Sequence, residues 1–108
     1  MTGLLRSITA DEIKAFDRDG AVLLKNVIGL QWVDMLAEGL EYANNHPDGM
    51  SAGVSEPLRI DQFPASHSPK LKELMDESPI AEIVGSILQD SVRFYMDQMF
   101  YKPAGLIA

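Results

Sequence analysis

The chain has 108 residues, 46% of them hydrophobic, and 16 acidic against 9 basic residues give it a net charge of -7. That length suits one segment, residues 1–108, with a moderate core, while the dispersed acid and the lack of a Lys/Arg cluster argue against a nucleic-acid partner. Cysteine is absent, which excludes disulfides and thiolate metal sites, and the opening MTGLLRSITADEIKAF lacks the apolar run of a signal peptide or membrane span; a cytoplasmic domain is expected.

The first predicted element is a helix in SITADEIKAFDRDG. Thr9 at the N-cap with Glu12 three residues on is a capping box, Ile8 and Ile13 can form a hydrophobic staple, and Gly20 supplies the stop. AVLLKNV, residues 21–27, reads as a buried strand between Gly20 and Gly29. A second helix is predicted from about Leu30 to Asn45, with Val33, Leu36, Ala37, Leu40 and Ala43 on its apolar face and Trp32 and Tyr42 as packing anchors. NNHPDGMSAGVSEP, rich in Gly, Pro and Asn, is expected to be a surface loop. LRIDQF reads as a short strand.

Two short helices follow, each opened by Ser-Pro at the N-cap and first helical position, Ser68-Pro69 and Ser78-Pro79. The second carries Ile80, Ile83, Val84, Ile87 and Leu88 and is expected to pack firmly. The methionines at 35, 75, 96 and 99 read as gap-fillers in the core. No repeat, phosphate loop or Ser/His/Asp pattern is present.

The last strand, VRFYMDQMFYKPAG, poses the functional question. Side chains alternate across a strand, so Val92, Phe94, Met96, Gln98, Phe100 and Lys102 share one side, and Arg93, Tyr95, Asp97, Met99 and Tyr101 the other. Gln98 thus sits in an apolar series, where a buried amide needs a partner. Two readings stand: a structural hydrogen bond to neighbouring backbone, or a polar anchor in a ligand pocket walled by Phe94, Met96 and Phe100. Lys102, before Pro103, reads as a solvated strand-end cation. His46-Pro47-Asp48 is literally H-x-D, yet it lies in turn-forming sequence, and a metal site needs a rigid frame. His46 and Asp48, and also His67 between two serines, are expected to be exposed and not metal ligands.

ITADEIKAFDRDGAVLLKNVI resembles the opening of the phytanoyl-CoA dioxygenase family, and SPIAEIVGSILQDSVRFYMDQMFYKPAG resembles a later segment of it. The resemblance implies an α+β chain that is the N-terminal helical and strand portion of a double-stranded β-helix, or jelly roll. It implies an Fe(II)- and 2-oxoglutarate-dependent oxygenase acting on a small organic substrate, with no catalytic or metal-binding residue in this segment. By the same resemblance Gln98 lines the 2-oxoglutarate pocket, Arg59 lies near cosubstrate or substrate, and Lys102 with Pro103 matches the K-P pair that ends the strand. The iron ligands, an H-x-D and a distant His, are expected downstream of Ala108, and the remainder of the oxygenase domain is the expected partner. The other reading is a small interaction module without catalysis.

Overall fold

The computed structural model describes residues 3–46, 51–55 and 58–105, the strand residues up to Arg59 by their backbone alone. Helix α1, Ala10–Asp19, begins at the predicted capping box: Thr9 accepts from the Glu12 backbone N–H while the Glu12 carboxylate accepts from the Thr9 N–H. Gly20 ends it in the left-handed region at φ 76°, a conformation glycine adopts without a Cβ penalty.

Residues 21–27 do not form the predicted strand. Asn26 turns the chain with φ 57°, and Leu23 is 75% exposed. Arg6 holds this stretch instead. Its Nε and Nη2 donate to the Lys25 carbonyl at 2.9 and 2.7 Å, and its guanidinium forks onto both Glu12 oxygens. A run of Val and Leu is enough to suggest a strand, but a ladder needs a neighbour, and here an arginine takes the carbonyl.

Helix α2, Leu30–Asn45, matches the predicted span. It buries Trp32, Gly39 and Ala43, whereas Val33 and Leu36 are exposed. The buried stripe is therefore rotated from the expected one, because Gly39 admits a neighbouring helix where a larger side chain would hold it off. Trp32 is an anchor as expected; Tyr42 is exposed and stacks on His46.

The stretch read as a loop contains a strand. β1, Ser51–Ser55, pairs antiparallel with β2, Leu58–Gln62, and β2 pairs antiparallel with β3, Gln98–Tyr101, giving the order β1-β2-β3. A short 3-10 helix, Pro64–Ser66, leads to α3, Pro69–Glu77, and then α4, Ile80–Leu88. Ser68-Pro69 opens α3 as predicted, with Ser68 at the N-cap and Pro69 first in the helix, but without a side-chain cap bond, and Ser78-Pro79 is displaced by one residue. The Ser68 hydroxyl leaves the end of α3 and donates to the Gly39 carbonyl of α2 at 2.9 Å, in a buried bond, while Pro79 takes the cap position of α4. Nor does α4 pack firmly: it leans on α1 but has no buried residue, and Leu88 is 53% exposed.

Ala43, Ala65, Leu71 and Met99 form the core, flanked by Leu40 and Met75. Helices α2 and α3 thus meet one face of the sheet at Met99. Of the methionines, Met99 and Met75 fill core space as expected, but Met96 is exposed.

Two predictions follow from these contacts. A Cβ on Gly39 would lie 2.8 Å from Leu71 Cγ and 3.1 Å from the Leu71 backbone nitrogen. Alanine gains about 1 kcal/mol in helix propensity, but overpacking costs about 1–3 kcal/mol. Overpacking prevails because main chain is among the obstructing atoms, so Gly39→Ala lowers stability to urea; an unchanged midpoint would mean that α3 slides away freely.

The second concerns acid. The Arg6 hydrogen bonds, and then the Thr9 backbone, hold the Glu12 carboxyl down at about 2. A carboxyl depressed on folding contributes stability above its unfolded pKa, near 4.3, and that contribution is lost as pH falls toward the folded value. Glu12→Gln therefore lowers stability at neutral pH and flattens its decline between about pH 5 and pH 2, which urea titrations across that range measure. An acid limb as steep as the wild type's would remove Glu12 from the account.

Candidate functional site

The register of β2 against β3 builds the candidate site. Opposed residues are Arg59 with Tyr101, Ile60 with Phe100, Asp61 with Met99, and Gln62 with Gln98. Residues directly opposite in an antiparallel pair project to the same side. Since Met99 points into the core, positions 60, 62, 98 and 100 occupy the face that the helices leave uncovered. Gln62, Gln98 and Phe100 are exposed there, and Ile60 is half-buried.

This reverses the expectation for Gln98. The apolar series to which it belongs is the outer one, so its amide is exposed rather than buried among partners. Neither Gln98 nor Gln62 has a side-chain hydrogen bond to any described residue. Of the three predicted pocket walls, only Phe100 lies beside Gln98 in β3. Phe94 and Met96 precede the strand, and Phe94 lines a groove of about 260 Å³ against α4, with Leu74, Met75, Ile80, Val84 and Val92.

Arg59 and Gln98 are not brought together. Arg59 is opposite Tyr101, one position out of phase with the Gln98 series, and its side chain lies outside the described residues. Lys102 follows β3 and is exposed. Gln62, which sequence reasoning passed over, stands directly across from Gln98. A signal for it existed: Asp61-Gln62 and Asp97-Gln98 are the same dipeptide, the first ending β2 and the second leading into β3.

The two aspartates of those dipeptides hold the turn between β2 and α3. Phe63 adopts φ 58°, unusual for a bulky residue. Asp97 straps this turn twice: its carbonyl accepts from the Phe63 N–H at 3.0 Å and its carboxylate from the Ala65 N–H at 2.8 Å. Asp61 is buried, only 1% exposed, with its Oδ2 3.3 Å from His67 Nε2. His67, expected at the surface, is pulled inward by that carboxylate, and its side chain is 16% exposed. His46 caps α2 with Nδ1 2.9 Å from the Tyr42 carbonyl, exposed as expected, and Asp48 lies outside the described residues.

Among the described residues no three His, Asp or Glu side chains converge as a metal site. The Asp61–His67 contact offers two groups at most, both turned into the interior. No described helix is long and apolar enough to cross a membrane. Comparisons of the chain with protein-family models, with curated proteins and with solved structures return no match.

Removing the neighbour of a buried polar group leaves that group stranded, at a cost of about 1–3 kcal/mol. His67→Ala therefore destabilises the fold to that order, and adding Asp61→Leu, which removes the stranded polar group, recovers part of the loss. Urea unfolding of the single and double variants tests this. Strictly additive losses would show that the two side chains do not depend on each other.

Proposed function

We propose that this chain is the N-terminal portion of an Fe(II)- and 2-oxoglutarate-dependent oxygenase of the phytanoyl-CoA dioxygenase type, one that hydroxylates a small organic substrate. The reading rests on the sequence resemblance, and one observation of the fold supports it. Gln98, the residue the resemblance assigns to the cosubstrate pocket, lies on the helix-free side of the sheet beside Phe100, where an apolar wall with a polar anchor is available to a ligand.

The described residues do not supply an iron site. On this reading the iron ligands, and the strands that complete a jelly roll over the uncovered face, belong to sequence following Ala108. The present segment contributes helical support behind the sheet and one wall of the pocket.

The test is to express the complete reading frame that includes these residues and to assay succinate formation with Fe(II), ascorbate and 2-oxoglutarate under air. Succinate is expected, and Gln98→Ala raises the 2-oxoglutarate requirement about tenfold or more, the worth of one hydrogen bond to a charged group. A product that neither binds Fe(II) nor forms succinate would sink the oxygenase reading and favour a non-catalytic interaction module. An unchanged 2-oxoglutarate dependence in Gln98→Ala would move Gln98 out of the pocket.

A further inference from the structure

The geometry points to Gln62 and Gln98 as a two-amide clamp for one carboxylate group; the proposal deepens the oxygenase reading above by adding a second anchor to Gln98. The register makes the two residues direct neighbours across the β2–β3 ladder. Their pair is also of the closer kind. The Phe63 N–H donates to the Asp97 carbonyl, which makes positions 63 and 97 a hydrogen-bonded pair. Such pairs alternate with non-hydrogen-bonded ones, so 62 and 98 form the latter. In pairs of that type the Cα atoms approach to about 4.5 Å and the side chains run closest together.

Chemistry favours a carboxylate as the occupant. Each amide carries an NH2 group with two donors, and a carboxylate presents two oxygens that accept side by side. Two neighbouring amides can each donate one N–H to it. Neither amide is occupied elsewhere, because neither has a side-chain partner among the described residues. The base of the clamp is also held in place. Asp97 straps the Phe63 turn immediately beyond Gln62, and the Asp61–His67 contact anchors the residue immediately before it. Ile60 and Phe100, the next pair along on the same face, give the rest of the ligand an apolar bed.

The experiment follows the side-chain NH2 resonances of Gln62 and Gln98 in the 108-residue chain by NMR, during titration with sodium acetate, succinate or 2-oxoglutarate. Sodium chloride at matched ionic strength is the control. Both amides are expected to move along one saturation curve with each carboxylate and not with chloride. Gln62→Met keeps the length of the side chain but removes its donors; it weakens the response at Gln98 about tenfold, the loss of one charge-assisted hydrogen bond. A Gln98 response unchanged in Gln62→Met overturns the clamp, as do shifts reproduced by chloride, or no movement at either amide. None of these readouts requires turnover. A failure of the oxygenase reading, seen as absent succinate, is therefore distinguishable from a failure of the clamp.

Discussion

At Gly39, α3 lies so near α2 that a single methyl group would collide with Leu71. The same carbonyl-bearing residue accepts the buried Ser68 hydroxyl. Position 39 therefore sets both the distance between the helices and the point along α2 at which α3 begins. Leu71 and Ala43 meet there, and Met99 of the sheet closes on them. The side of the sheet that receives the helices follows from this contact, and so does the side left open.

The open side is where ligand chemistry can be placed, and the covered side is where structural polarity is spent. Asp61 faces inward to His67, and Asp97 bonds the backbone of the Phe63 turn. The glutamine after each aspartate carries its amide to the uncovered face. Two copies of one dipeptide thus divide the labour in the same way, an acid that fixes the turn followed by an amide left available. A strained left-handed phenylalanine persists at Phe63 because hydrogen bonds from both flanks over-determine it.

Local signals were legible in the sequence where the deciding atoms lie close along the chain. The Thr9–Glu12 box and the Gly20 stop involve neighbours within a turn or two, and the span of α2 came from periodicity over sixteen residues. What was not legible depended on distant partners. Ser68 has ideal cap chemistry, yet a carbonyl 29 residues away captures its hydroxyl. AVLLKNV has strand composition but no strand beside it among the described residues, while SAGVS has loop composition and finds β2. For the site, alternation grouped Gln98 correctly with Phe100. Which of the two groups meets the helices is decided by Met99 docking on α3, and nothing local to the strand encodes that. His67 moved inward for the same reason: the carboxylate that draws it belongs to another element.

The backbone of β3 carries one more implication. Its odd-numbered residues direct their N–H and C=O groups toward β2, as the Phe63–Asp97 bond requires. Gln98 and Phe100 therefore direct theirs to the outer edge of the sheet. No described strand occupies that edge. A strand added there would make its first ladder bonds to Gln98 itself and would set its own side chain next to that amide, on the open face. The cross-strand pair would become a row of three, and the identity of the third residue, supplied by whichever strand extends the sheet, would tune what the first two can hold.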